Sequence, residues 1–254
     1  MTADEAGTAG YNEMFFCFHA CIDVYICAFK IGSKLLQNSQ YANFRPALFV
    51  SLLLCLITGL FLAYFGKTGS FLVINQHHNA LFDVLFQYGT YLGDGVIYIP
   101  LLVYCIFFHR ALLIPSVLSI LICLILTHFL KRVVFPHALR PISLEAQQIV
   151  IHKIKGLHIN RVNSFPSGHT ATAFSTALVL TSVIKKRRWA LLLLIFPFLV
   201  AYSRVYLAQH FVTDVLGGML IGIVTALLSL WLEPVVLRAL PRSVQVKMKE
   251  PLVH

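Results

Sequence analysis

Acidic side chains are scarce: ten Asp and Glu stand against twenty Lys and Arg in 254 residues, for a formal charge of +10 with only 12% of positions charged. Carboxylates so few and so scattered disfavour a phosphatase or nuclease built on a pair of metal ions, because such centres need several Asp or Glu converging on one point. Cysteine does not fill the gap. Cys17, Cys21, Cys27, Cys55, Cys105 and Cys123 show no C-x-x-C spacing, so neither a disulfide framework nor a zinc site is signalled, and each reads as a small buried or lipid-facing residue. No metal and no cofactor are expected. The basic residues lie at the edges of apolar runs rather than in one tract, which argues against nucleic-acid binding. What is abundant is apolar surface: 58% hydrophobic residues and a mean hydropathy of +0.80 describe an integral membrane protein.

A helix needs about 20 apolar residues to span a bilayer core. Six candidates emerge: Pro46 to Phe65, Val96 to Phe108, Ala111 to Leu130, Gly168 to Ile184, Trp189 to Tyr202 or slightly beyond, and Val212 to Leu232. The expected fold is an all-α, polytopic six-helix bundle over 46–233, preceded by an N-terminal segment, 1–45, and followed by a basic tail, 234–254. Lys34, Arg45, Arg110, the run Lys185 to Arg188, and Arg238, Arg242, Lys247 and Lys249 all fall on one side of that topology. The positive-inside rule makes that side cytoplasmic, with both termini inside and segments 67–95, 131–167 and 203–211 outside. Asp4, Glu5 and Glu13 leave no basic n-region, so no cleaved signal peptide is expected. Met14 to Leu36 has helical periodicity interrupted by His19, Asp23 and Lys30, and is read as an interfacial amphipathic helix, a seventh span being the alternative.

The outside segments carry three polar clusters: Lys131 to Pro141, Ser164 to His169, and Ser203 to Asp214. Lys131, Arg140 and Arg204 bring positive charge to one place, and Asp214 is the nearby carboxylate. Such a site calls for an anion. Arginine grips two oxygens of a phosphoryl group with its planar fork, while Ser167 and Gly168 at a helix start offer backbone N–H groups and the positive end of a dipole. His210 and Asp214, four apart, can share a helix face, so that the carboxylate fixes one ring nitrogen and leaves the other as nucleophile. His169, from another helix, can serve as general acid to the leaving group.

At these clusters the chain resembles the type 2 phosphatidic acid phosphatase superfamily. Pro166-Ser167-Gly168-His169 and Ser203-Arg204-x5-His210-x3-Asp214 match the family's second and third motifs residue for residue. The resemblance implies a six-helix membrane phosphatase acting from the extracytoplasmic face, with His210 forming a phosphohistidine, Asp214 orienting it, His169 as general acid, and Arg204, Ser167 and Gly168 as phosphate ligands. The first motif departs from the commonest spacing: eight residues, not six, separate Lys131 from Arg140. Either the loop carries an insertion and Lys131 keeps its role, or Arg132 reaches the phosphate; Lys131, at a helix end with a flexible stem, is favoured.

The expected substrate is a phosphate monoester or pyrophosphate on a bilayer lipid; the resemblance implies undecaprenyl pyrophosphate, phosphatidylglycerol phosphate, phosphatidic acid or lipid A phosphates, and the sequence does not choose among them. A phosphotransferase would use the same residues. A transporter would place its charges near the bilayer midplane rather than at one surface. A bacterial inner membrane is the expected location, and nothing in the sequence sets an oligomeric state. His77, His78, Asp83 and Asp94 are expected to cap loops or line interfaces, and Lys153, Lys155, His158 and Arg161 form a basic loop that either steers an anionic headgroup or is merely solvated.

Overall fold

A computed structural model of the chain describes residues 43–249. The proposed amphipathic helix within 14–36, with Cys17, Cys21 and Cys27, lies outside the described residues. Within them the chain is helical, without strands: α1 Phe44–Asn75, α2 Ala80–Gly89, α3 Tyr98–Phe107, α4 Leu113–Phe129, α5 Gly168–Thr181, α6 Arg187–Leu193, α7 Ile195–Tyr206, α8 Val212–Ala239 and α9 Arg242–Lys249. Four stretches are long and apolar enough to cross a membrane: Phe44–Asn75, Arg110–Val134, Arg187–Tyr206 and Val212–Ala239. Helical segments also stand at the other two expected positions, but Gly95–Phe107 is short and α5 has 14 residues, about 21 Å of rise.

The first helix runs further than its apolar stretch suggests. Gly66 adopts φ 68°, ψ 178° inside α1, a conformation open to glycine because it has no Cβ. The chain changes direction there and resumes helix to Asn75, so 67–75, read from sequence as the start of an outside loop, is helical. The fifth expected span is similarly a pair, α6 and α7, meeting at Leu194.

The core is organised on α8, which packs against α5, α4 and α1. Glycine makes the α5–α8 contact possible. A Cβ on Gly218 would fall 2.5 Å from the Ser167 carbonyl oxygen and 2.9 Å from Thr170 Cβ, and one on Gly222 would fall 2.6 Å from Phe174 Cβ. The two backbones therefore approach as small-residue membrane helices do. Their first turns are locked as well, since Ser167 N–H donates to the Asp214 carbonyl at 2.9 Å. This places the N-termini of α5 and α8 side by side, at the end where α4 and α7 finish.

Candidate active site

Four helix ends build the site. After Phe129 the helix widens into a π-turn over Leu130–Val134, a local irregularity frequent at functional sites, and Lys131 sits on it. Its Nζ lies 3.8 Å from where a Gly168 Cβ would be, at the start of α5. Arg132 is exposed. The structure thus brings Lys131, rather than Arg132, to the cluster.

Ser167 caps α5. Its Oγ accepts from Thr170 N–H at 3.5 Å and from Thr170 Oγ1 at 2.9 Å. With its acceptor capacity used, the Ser167 hydroxyl hydrogen is left to donate to an anion. The N-terminal N–H groups of α5 and the dipole's positive end supply the same preference.

Arg140 follows the π-turn in an extended loop and is buried, its Nη1 donating to the Gln209 carbonyl at 2.9 Å and to Gln209 Oε1 at 3.0 Å, its Nε to the Val162 carbonyl at 3.3 Å. Arg204, in the last turn of α7, donates from Nη1 to Thr90 Oγ1 at 2.8 Å. Its Nε is buried and without a hydrogen-bond partner among the described residues. A buried guanidinium donor left open beside other cations is a place for an oxyanion.

The turn joining α7 to α8 wraps on one carbonyl: Gln209 N–H and His210 N–H both donate to Arg204 O, at 3.0 and 3.1 Å. Ala208 takes φ 54° there, a strained setting for a non-glycine residue. The turn buries His210, whose Nδ1 lies 3.3 Å from Asp214 Oδ2. Asp214 is fully buried and its Oδ2 accepts from Ser164 Oγ at 2.5 Å and Phe211 N–H at 2.8 Å. The carboxylate is thus held from two further directions while it faces the imidazole, which orients the ring and fixes its tautomer. Burial, then the positive charges of Arg140, Arg204 and Lys131, push the His210 imidazole well below the ordinary histidine range, so the ring is neutral, the form a nucleophilic role would need. His169, second residue of α5, interacts electrostatically with Arg204, His210, Lys131 and Arg140, which places it in the same cluster.

Every site residue read from the sequence meets here. Others join them, some from within the polar clusters and some from segments that carry no motif. Thr90 closes α2 and holds Arg204. Gln209 holds Arg140 twice, and Ser164 anchors Asp214; both lie beside motif residues, the one signal that could have found them. Lys67, just past the break in α1, sits 4.9 Å over the Phe211 ring and interacts electrostatically with Asp214. Asp94 caps the following turn, its Oδ1 accepting from Gly95 N–H at 2.7 Å. Among the described residues no group of three or more His, Cys, Asp and Glu is placed to hold a metal ion.

A helical protein with membrane-length apolar helices and a histidine–carboxylate pair facing an anion cradle is the class that fold and site define. The PAP2 superfamily profile matches residues 112–237, and a crystal structure of Aquifex aeolicus LpxE superposes with a TM-score of 0.57 at 34% identity, covering 65% of this chain and 94% of that one. The chain belongs to the PAP2 superfamily. An undecaprenyl-diphosphatase of Sulfolobus acidocaldarius is 28% identical over 72% of this chain and 90% of its own. The bacitracin transport permease protein BcrC of Bacillus licheniformis is 39% identical over 28% of this chain, and the match spans only 34% of that protein's length.

Proposed function

We propose that the protein is a membrane phosphatase that removes phosphate from a lipid monoester or pyrophosphate through a phosphohistidine on His210, without a metal ion. The observation that carries this reading is the opposition of the His210–Asp214–Ser164 chain to the open Arg204 Nε and the first turn of α5. Arg204, Arg140, Lys131, Ser167 and the α5 N-terminus would neutralise the phosphoryl oxygens. His210 Nε2 attacks phosphorus as the bond to the leaving oxygen breaks, and His169, which would take up its proton once the negative charge of a bound phosphate offsets the surrounding cations, gives that oxygen its proton. Water then attacks the phosphohistidine, yielding its proton to His169 and releasing inorganic phosphate with neutral His210 restored.

A prenyl diphosphate heads the substrate candidates, supported by the undecaprenyl-diphosphatase that matches most of both chains. The location proposed is a bacterial inner membrane, with six spans, cytoplasmic termini and the site at the extracytoplasmic surface. What supports the side is the placement of Arg110 and the Lys185 to Arg188 run at the ends of the helices opposite the cluster. The transport function in the name of the Bacillus relative is not carried over, because most of the site's charge gathers at helix ends, whereas a transporter would place its binding groups near the midplane.

Phosphate release from a panel of lipid phosphates, measured in detergent with EDTA beside His210→Ala, tests the proposal. Release by wild type that persists under chelation and vanishes in the variant is the expected result. Release abolished by chelation, or retained in the variant, overturns it, and a new phosphoester in place of free phosphate reassigns the protein as a phosphotransferase.

A further inference from the structure

The short helix α2 has two apolar faces, and among the described residues only one of them has a protein partner. Toward the bundle, Phe86 packs on Tyr206 and Tyr202 with ring centroids 4.9 and 5.6 Å apart, and Asp83 Oδ1 accepts from Tyr206 Oη at 2.6 Å and from His152 Nε2 at 2.8 Å. Burial acts to raise the Asp83 pKa, but the hydrogen bonds from Tyr206 and His152 outweigh it and hold the group below the usual range, so it is a carboxylate that fixes the rotation of α2. The outward stripe is then Leu81, Val84, Leu85 and Tyr88, spaced i, i+3, i+4 and i+7 along one face, with exposures of 73%, 57%, 54% and 65%. Ten residues rise about 15 Å, half the thickness of a bilayer core; the helix cannot cross one.

The segment packed beside it is basic. His78 stacks on His152 with ring centroids 3.7 Å apart, and from His152 the chain continues through Lys153, Lys155, His158 and Arg161, all four exposed. A hollow of about 360 Å³ there is lined by Lys153, Lys155 and His158 with Ile154, Leu157 and Ile159. An apolar helical stripe beside clustered positive charge is the composition of a segment that lies in the membrane surface and is drawn to anionic lipid.

We infer that α2 lies in the bilayer–water interface beside the active site, with Leu81, Val84, Leu85 and Tyr88 among the upper acyl chains and the 152–161 loop against anionic headgroups. The partner is the lipid surface itself, favoured by the charge of the loop and by continuity with the membrane-length helices of the bundle. The contact bears on the chemistry because α2 ends at Thr90, whose hydroxyl holds Arg204, and because the loop's far end accepts from the site: Arg140 N–H donates to the Arg161 carbonyl at 3.0 Å, and Gln209 Nε2 to the His158 carbonyl at 3.0 Å. Seating α2 and the loop on lipid would set the cradle at headgroup level.

The test uses the full chain in vesicles of phosphatidylcholine and phosphatidylglycerol, with Tyr88→Trp in a background of Trp189→Phe and Trp231→Phe. Emission is expected to be quenched by brominated acyl chains, more by bromine near the headgroup end than deep in the chain. Stronger quenching by deep bromine overturns the interfacial placement. So does quenching by aqueous iodide alone, or by neither agent, the latter meaning that a second protein surface covers the stripe. None of this depends on catalysis, so it survives or fails apart from the phosphatase reading on which the second arm rests. There, Val84→Gln/Leu85→Gln is expected to lower activity about tenfold on a vesicle-embedded substrate, an effect of the size given by lost apolar burial, with the rate on a water-soluble short-chain phosphate unchanged. Wild-type activity is expected to rise with the phosphatidylglycerol content of the vesicles, and Lys153→Gln/Lys155→Gln to abolish that rise; a wild type indifferent to phosphatidylglycerol counts against the inference. Equal losses on both substrates, or stimulation that persists, count against the inference.

Discussion

Helices α1 and α8 are both long and apolar, yet the most apolar stretch of α8 is 78% buried and that of α1 only 22%. Hydropathy does not distinguish them; the small residues do. Gly217, Gly218 and Gly222 let α8 receive Phe165, Ser167, Thr170 and Phe174, whereas a Cβ on Gly59 of α1 would find its nearest neighbour, Leu216 Cδ2, 3.9 Å away. The α8 side of the molecule is thus built to tolerances that hold a buried carboxylate in place, while α1 presents Phe49, Leu56, Leu60 and Tyr64 outward. In a membrane protein the working half is marked by close approach of backbones rather than by greater apolarity.

Substitutions can break or sharpen that contrast. The largest effect is expected at Asp214→Asn, which leaves the size of the side chain but removes the charge that orients His210; kcat should fall by about 10³ to 10⁴, with the helical circular dichroism signal retained. A preserved kcat would remove Asp214 from the mechanism. Gly218→Val should drive α5 from α8 and cost about 3 kcal/mol, read as a lower thermal midpoint in detergent. Ser164→Ala removes the hydroxyl that donates to Asp214 Oδ2 and should lower kcat about tenfold, from a charged hydrogen bond worth about 1.5 kcal/mol. On α1, Gly59→Ala should change stability by less than about 1 kcal/mol; a loss as large as that of Gly218→Val would erase the difference between the helices.

His210 adds a pH dependence of known sign. Its folded-state pKa is depressed, so at neutral pH the ring is uncharged whether the chain is folded or not, and the imidazole has no pH effect on stability there. Below about 6.5, the ordinary histidine value, the unfolded chain takes up a proton that the folded one refuses, and stability falls. The thermal midpoint should decline between pH 6.5 and 5 more steeply in wild type than in His210→Asn.

Much of this site was legible in the sequence because its chemistry is local. Pro166 to His169 and Arg204 to Asp214 each lie within a few residues of a helix start or turn, so spacing alone implied that they share a face or cap a helix. The resemblance to the type 2 phosphatidic acid phosphatases came from the same residues and is matched by membership of the PAP2 superfamily. What stayed hidden depends on tertiary approach. Thr90 meets Arg204 across 114 positions, and Asp83, read as a loop or interface residue, proves to tie α2 to both Tyr206 and His152. Lys67 stood in the sequence only at the start of the outside segment 67–95, and the positive φ at Gly66 that brings it to Phe211 has no signature in hydropathy. The choice between Lys131 and Arg132 was open for the same reason, since it turns on which side of a π-turn faces α5.

The most direct test of the histidine chemistry is to trap the intermediate. Enzyme mixed with lipid substrate carrying ³²P in its terminal phosphate, quenched in alkali within milliseconds and digested, should yield an acid-labile, base-stable phosphopeptide that contains His210 in wild type and is missing from His210→Ala. A label on a different residue, or rapid single-turnover phosphate release with no labelled protein at any quench time, would contradict a covalent step at His210.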